Sequence, residues 1–122
     1  MATLVVDGAN VVGSVPDGWW KDRRGAAERL RDALAPVAGS GLPGVVPGPV
    51  RVVLVVEGAA RGVTGVPGVE VVSAPGSGDD TIVSVTAGAE PPVVVVTADR
   101  ALRARVRAVG AEAVGPSSIP RR

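Results

Sequence analysis

Aspartates in three parts of the chain stand directly after apolar runs or a turn. Asp7 follows the run LVV, the pair Asp79 and Asp80 follows the turn PGSG, and Asp99 comes shortly after the run VVVV. Two carboxylates about 5 Å apart repel by roughly 3 kcal/mol at an effective dielectric near 20, so a cluster of them favours protonation or a bound cation. If these segments meet in the fold, the pattern predicts a site for a divalent cation.

The composition narrows the chemistry that such a site could use. The chain has no histidine and no cysteine, which removes the commonest general base and the thiolate ligands of zinc. Oxygen ligands alone favour Mg²⁺ or Mn²⁺, which bind carboxylates and water and leave positions open for a substrate phosphate. Such an ion would lower the pKa of a bound water molecule and supply a nucleophile. Asn10 and Thr97 would orient the carboxylates or a phosphate.

A simpler interpretation exists for each aspartate taken alone. A carboxylate at the end of a strand is most often a turn or helix N-cap residue, and an acidic pair at a helix start adds a favourable interaction with the helix dipole. The coincidence of D-x-x-N after the first strand, DD at a helix start and T-x-D after a later strand favours the metal site.

The elements that would position these residues follow from the apolar pattern. Continuous β-branched runs without polar alternation predict strands that are covered on both faces, as in a parallel sheet. The predicted strands are residues 3–6, 50–56, 69–72, 93–96 and a short one at 113–114. The predicted helices are one that Asp22 N-caps and that runs to about Leu34, one from Asp80 to about Ala87, and one from Arg100 to Val109 with Leu102, Val106 and Val109 on its buried face.

Alternation of strands and helices predicts the fold class. We expect an α/β fold, a three-layer α/β/α sandwich with a central, mostly parallel sheet of four to five strands, in a single domain over residues 1–122. Residues 35–49 are rich in Gly and Pro without periodicity and are predicted to be a loop. In open parallel sheets the ligand crevice lies beyond the carboxyl ends of the strands, where strand order reverses. Asp7, the 79–80 pair and Asp99 are therefore expected at one rim.

Residues suited to holding a polyanion follow the first aspartate. Trp19 and Trp20 are the only aromatic residues, and Lys21, Arg23 and Arg24 stand beside them. A base could stack on an indole ring while the cations contact phosphates. The alternative is that one or both tryptophans cover the sheet edge or close a homodimer.

Arginines are concentrated at the other end of the chain. Residues 100–122 contain six arginines and a single acidic residue, Glu112, so this end could meet an anionic partner. Arg100, next to Asp99, could face a phosphate. Arg103 and Arg107 are expected on a solvated helix face, and Glu57, at a strand end, is either an outer residue of the site or a turn residue.

Four segments in order carry a resemblance to a known family. They are DGANVVGS (7–14), WWKDRRGAAERL (19–30), GDDTIV (78–83) and VVVVTADRALRARVRAVGA (93–111). Together they resemble the NYN branch of the PIN-like nucleases, in particular its YacP-like bacterial members. The resemblance implies a PIN-like fold and Mg²⁺- or Mn²⁺-dependent RNA cleavage. It also implies that Asp7, Asp79, Asp80 and Asp99 are metal ligands and that Asn10 is their polar partner.

The leading hypothesis is a metal-dependent phosphodiesterase, specifically an endoribonuclease. A non-catalytic module that binds RNA or protein, and a hydrolase of a small nucleotide or phosphate ester, stay open as alternatives. No apolar run approaches the roughly 20 residues of a membrane span, and the amino terminus lacks a basic segment followed by an apolar one. We therefore expect a cytoplasmic protein with RNA, and no membrane, as its partner.

Overall fold

The computed structural model describes residues 1–120, and strands alternate with helices along them as the apolar pattern predicts. The strands are β1 (Ala2–Asp7), β2 (Gly41–Leu42), β3 (Val46–Pro47), β4 (Val50–Val56), β5 (Val69–Ser73), β6 (Val93–Val96) and β7 (Glu112–Val114). The helices are α1 (Gly8–Gly13), α2 (Arg23–Leu34), α3 (Val37–Ser40), α4 (Gly78–Gly88) and α5 (Arg100–Ala108). Single 3₁₀ turns occupy Trp19–Lys21, Gly58–Ala60 and Pro116–Ser118.

The central sheet has five strands in the order β5-β4-β1-β6-β7. Every neighbouring pair in it is parallel, which confirms the predicted parallel α/β architecture. The chain builds β1, β4 and β5 outward on one side and then crosses over to add β6 and β7 on the other. Strand order therefore reverses between β1 and β6, and this is where ligands bind in open α/β sheets.

Helices cover both faces of the sheet, so the three-layer sandwich is confirmed. Alternate residues of β1 point to opposite faces: Leu4 and Val6 pack with buried residues of α1 and α2, whereas Val5 packs with Ile82 of α4 and Leu102 of α5. Because the inner strands β1, β4 and β6 are buried on both sides, their sequences are apolar at nearly every position rather than at alternate ones, whereas the edge strands β5 and β7 are partly exposed.

Residues 35–49 are not the irregular loop that their composition predicts. They form α3 and the antiparallel hairpin of β2 and β3. Leu42 and Val46 of this hairpin are buried against the core on the side of α2. The elements are two to four residues long, which is too short for any periodicity to show in the sequence.

Helix boundaries also differ from the prediction. Helix α1 is absent from the sequence-based prediction, and α4 begins at Gly78 rather than at Asp80. The prediction that Val109 is a core residue is wrong: α5 ends at Ala108, and Val109 is 43% exposed.

Among residues 1–120, no helix is long and apolar enough to cross a membrane. Arg121 and Arg122 of the basic terminal segment lie outside the described residues.

Candidate active site

Asp7 is the last residue of β1, the central strand, and it is held in place by the helix that begins directly after it. Its Oδ1 accepts a hydrogen bond from the backbone N–H of Asn10 at 3.3 Å, which makes Asp7 the N-cap of α1. Gly8 is required at this junction, since a Cβ there would lie 2.6 Å from the carbonyl oxygen of Val55 in β4. The DG pair therefore places a carboxylate and a helix start directly against the centre of the sheet.

The segment after β6 is hydrogen-bonded to the segment after β1. The buried Thr97 hydroxyl donates to Asp7 Oδ2 at 2.8 Å and accepts from the backbone N–H of Asp99 at 3.1 Å. The Asn10 side-chain oxygen accepts from the N–H of Ala98 at 2.8 Å. Thr97 therefore contacts the Asp7 carboxylate directly, whereas the Asn10 side chain bonds the backbone of Ala98 and not a carboxylate; both residues join the segment after β1 to the segment after β6, where strand order reverses.

Asp99 caps the helix that follows it. Its Oδ1 accepts from the N–H of Leu102 at 2.9 Å, so it N-caps α5 as Asp7 N-caps α1. The capping interpretation of both aspartates is therefore correct as far as it goes. A carboxylate has about four lone-pair positions, so a capping bond leaves room for a cation at the same group.

A third acidic residue, Glu57, enters the site from the end of β4. Its Oε2 accepts from the backbone N–H of Gly78 at 2.8 Å. The side chain of Ser77, the residue at the N-cap position of α4, makes no capping bond. Glu57 therefore caps α4 from a neighbouring strand and fixes the position of Asp79, the next residue along that helix.

The electrostatic environment shows that these carboxylates lie near one another. Burial raises the pKa of Asp7, and the nearby charges of Asp79 and Glu57 raise it further, while hydrogen bonds from Thr97 and from the Asn10 backbone oppose the shift. Burial also raises the pKa of Asp79, with added contributions from Asp99, Glu57 and, least, Asp80, while Arg105 opposes the shift. Acidic groups from separate segments therefore add to the effect of burial on Asp7 and Asp79.

Asp80, in contrast, points away from this cluster. Its Oδ1 accepts from the Arg105 guanidinium at 2.8 Å, and its side chain is 86% exposed. Adjacent residues on a helix project about 100° apart, so only one member of the DD pair faces the rim. Asp79 is that member.

The oxygen atoms of these carboxylates are the type of ligand that Mg²⁺ and Mn²⁺ prefer, although the side chains are not already arranged around a common point. Within residues 1–120, no group of three or more acidic side chains stands arranged to hold a metal ion. Mg²⁺ commonly keeps several waters and takes one or two carboxylates together with substrate phosphate, and such a requirement is compatible with neighbouring carboxylates at this rim.

A cleft of about 520 Å³ runs beside the carboxylates. Trp19, Arg23, Arg61 and Glu57 border it, together with the loop Pro75, Gly76 and Ser77. Asp7, Asp79 and Asp99 do not line it, so Glu57 is the acidic residue that the cleft and the carboxylate cluster share.

The predicted substrate-binding residues have different surroundings. Arg23 lies 5.3 Å above the ring of Trp19, and both border the cleft. Arg24 donates to the carbonyl oxygens of Arg61 and Gly62 and so connects α2 to the loop after β4. Lys21 and Arg100 are exposed. Trp19 packs partly on the core, whereas Trp20 is 55% exposed.

Two arginines at the site were not identified from the sequence as contributors. Arg61 donates to the carbonyl oxygens of Gly58 and Pro75 and borders the cleft. Arg103 is not on a solvated face, because its Nε donates to the carbonyl oxygen of Thr97 at 2.7 Å. No sequence signal marks either residue. Both donate to backbone carbonyl oxygens in other segments, and only the fold brings those segments next to the arginines. Glu57 carried the same signal as Asp7, an acid at a strand end.

Comparison with known proteins gives a match of fold. No protein-family model matches the chain, and no curated protein matches it by sequence. The chain is similar to the crystal structure of Rae1 (YacP) from Bacillus subtilis, a tryptophan-to-leucine mutant, with a TM-score of 0.71. The match covers 97% of this chain and 72% of that chain at 20% identity. The chain therefore has a YacP-like α/β fold.

Proposed function

We propose that this protein is a metal-dependent phosphodiesterase that cleaves RNA, acting as an endoribonuclease. The observation that supports the proposal is that Asp7 and Asp99 are linked through the Thr97 hydroxyl, while the charges of Asp79 and Glu57 act on Asp7 and those of Asp99 and Glu57 act on Asp79. The carboxylates of Asp7 and Asp79 both have raised pKa values. Perturbed carboxylates beside a cleft are typical of catalytic sites. The YacP-like fold agrees with the resemblance to YacP-like nucleases drawn from the sequence motifs.

In this mechanism Asp7, Asp79 and Asp99 would hold Mg²⁺ or Mn²⁺, with Glu57 at the margin of the site. Such an ion, when bound, would supply an activated water and offset charge on the phosphate. Thr97 and Asn10 fix the orientation of Asp7 and Asp99 through the hydrogen bonds described above. The Arg103 Nε donates a hydrogen bond to the backbone carbonyl oxygen of Thr97 and so holds the segment that carries Thr97 in place. Arg23 and Arg61 at the cleft attract the phosphodiester backbone.

Substitution of the proposed ligands tests this function. Asp7→Asn and Asp99→Asn should each lower Mn²⁺-dependent cleavage of single-stranded RNA by roughly 100-fold or more, since even outer-shell partners of metal ligands contribute 10–100-fold. Asparagine caps helices about as well as aspartate, so the far-UV circular dichroism spectrum should stay that of the parent.

Two variants control for general effects of removing charge. Asp80→Asn removes the neighbouring carboxylate that faces Arg105, and it should lower the cleavage rate far less than Asp79→Asn. Glu70→Gln, at the opposite end of the strands, should cleave at the parent rate. Parent-like cleavage by both Asp7→Asn and Asp99→Asn would show that the carboxylate cluster is not the catalytic centre.

A non-catalytic RNA-binding module is the second candidate. It is favoured by the absence, among residues 1–120, of a preassembled group of three acidic ligands, and by the engagement of both Asp7 oxygens in hydrogen bonds. Tight RNA binding that is indifferent to Mg²⁺ and Mn²⁺, with no product after hours of incubation, would identify this alternative. The predicted homodimer stays a prediction.

A further inference from the structure

The cleft beside the carboxylates has the size of a small-molecule site. Its volume of about 520 Å³ falls within the range of about 300–1,000 Å³ that is usual for ligand pockets. It lies where α1 and the start of α2 face the loops that follow β4 and β5. It is separate from Asp7, Asp79 and Asp99, which do not line it, and it meets the carboxylate cluster only through Glu57.

One wall of the cleft offers flat surfaces. The Trp19 ring is held by the Arg23 guanidinium 5.3 Å from its centroid and by an edge-on contact with Trp20 at 5.9 Å. Aromatic rings and guanidinium planes are the two kinds of platform on which proteins stack unpaired RNA bases. Val12, Ala27, Val56 and Ala60 continue this wall as small apolar side chains.

The cleft also contains a cation that is fixed in position. Arg61 donates hydrogen bonds to the carbonyl oxygens of Gly58 and Pro75, at 3.3 and 3.1 Å. Its guanidinium therefore bridges the loops that follow β4 and β5, both of which border the cleft. A cleft that combines a stacking platform, apolar side chains and a fixed cation suits a flat heteroaromatic ring attached to an anionic group.

We infer that this cleft is a nucleobase subsite, which binds one unpaired base of the RNA strand close to the phosphate that is cleaved. The base lies on the Trp19 and Arg23 wall, and the sugar-phosphate backbone passes Arg61 and Glu57 to reach the carboxylates. The inference rests on the proposed function for the identity of the strand, but base binding itself requires no catalysis and no metal ion.

Tryptophan fluorescence can report this binding directly. Trp19 and Trp20 are the only aromatic side chains, so Trp20→Phe leaves Trp19 as the single fluorescent tryptophan, in the cleft. The four nucleoside 5′-monophosphates are titrated in EDTA, with correction for their absorbance, and ribose 5-phosphate is titrated in parallel. We expect saturable quenching by the nucleotides and none by ribose 5-phosphate, which has the same phosphate without a base.

Two glycines supply a matched pair of variants in this background. Gly76 borders the cleft, and a Cβ there would meet no atom within 4 Å. Gly88, the last residue of α4, is equally open but lies near Glu90 at the other end of the strands. Gly76→Leu should weaken nucleotide binding by about tenfold or more, the scale of losing one base stack, whereas Gly88→Leu should leave it unchanged.

The outcomes separate this inference from the proposed function. Equal quenching by ribose 5-phosphate, no quenching by any nucleotide, or equal binding by the Gly76→Leu and Gly88→Leu variants would each overturn the base subsite. If nucleotides bind as expected but RNA is not cleaved with Mn²⁺, the subsite stands and the proposed nuclease activity fails. If RNA is cleaved with Mn²⁺ but no nucleotide binds in the cleft, the proposed nuclease activity stands and the base subsite fails.

Discussion

Acidic residues at the two ends of the parallel strands have opposite electrostatic surroundings. At the amino end, Glu70 receives two hydrogen bonds of 2.8 Å from Arg51, and Glu90 pairs with the amino terminus of Met1. These partners lower the pKa of both carboxyl groups. At the carboxyl end, burial and neighbouring acids raise the pKa of Asp7 and Asp79.

This difference separates structural charges from charges available for binding. At the amino end Glu70 and Glu90 each have their own cation, and exposed pairs of this kind contribute little to stability. At the carboxyl end, burial and the charges of nearby acids disfavour the charged forms of Asp7 and Asp79. A loss of stability from unfavourable charges is expected at a functional site, because activity can require groups whose placement does not stabilise the fold. An external cation would restore at the carboxyl end the balance that the amino end already has.

The largest effect that we expect from the difference between the two ends is a rise in the melting temperature when Mn²⁺ is added. Because the ion would bind the folded carboxylate cluster, the melting temperature should rise with ion concentration. The stabilisation should reach about 2.7 kcal/mol at one hundred times the dissociation constant. Differential scanning calorimetry with and without excess EDTA measures it. The Asp7→Asn/Asp99→Asn double variant should show little of this rise, and an equal rise in that variant would place the ion elsewhere.

A smaller effect is expected from Glu57, which borders both the cluster and the cleft. Glu57→Gln keeps an oxygen for the Gly78 N–H but removes the negative charge, so Mn²⁺-dependent RNA cleavage should fall about 10–100-fold, as for other groups around a metal site. Initial rates against RNA concentration measure this loss. Glu70→Gln is the matched control at the amino end, and an equal loss in both variants would remove the distinction between the two ends.

The sequence predicted the architecture well because the inner strands β1, β4 and β6 are buried on both faces. Continuous apolar runs such as residues 52–56 and 93–96 are typical of strands covered on both sides, and the glycine and aspartate signals between the runs mark turns and caps. The hairpin within residues 35–49 was missed because it is too short to show a pattern. Val109 was misassigned because the helix ends one residue before it, which a boundary prediction does not resolve.

The candidate site could be predicted only in part. Asp7, Asn10, Thr97 and Asp99 follow strand ends, so the topology of parallel sheets is enough to bring them together. The choice between Asp79 and Asp80 depends on the rotation of α4 about its axis. The contributions of Arg61 and Arg103 depend on bonds to the backbone of distant loops. Neither kind of information is present in residue types and spacing.

The smallest effect should come from neutralising one half of the DD pair, and it has a definite dependence on pH. Because the pKa of Asp79 is higher in the folded state than in the unfolded chain, the folded state binds more protons between the two values. The free energy of unfolding of the metal-free parent therefore loses a contribution as pH rises from the ordinary aspartate pKa of about 3.9 through the raised value. Asp79→Asn removes this loss.

At neutral pH without divalent ions, Asp79→Asn should consequently be more stable than the parent by about 0.5–1 kcal/mol, a typical gain from relieving surface charge repulsion. The gain should shrink below about pH 4, where the parent carboxyl group is protonated. Urea unfolding at several pH values measures both. Asp80→Asn should show a smaller gain or none, because Asp80 is paired with Arg105 and is the weakest of the charges that raise the pKa of Asp79. A gain from Asp80→Asn equal to that from Asp79→Asn would mean that the repulsion is spread over the whole helix start rather than concentrated at the rim.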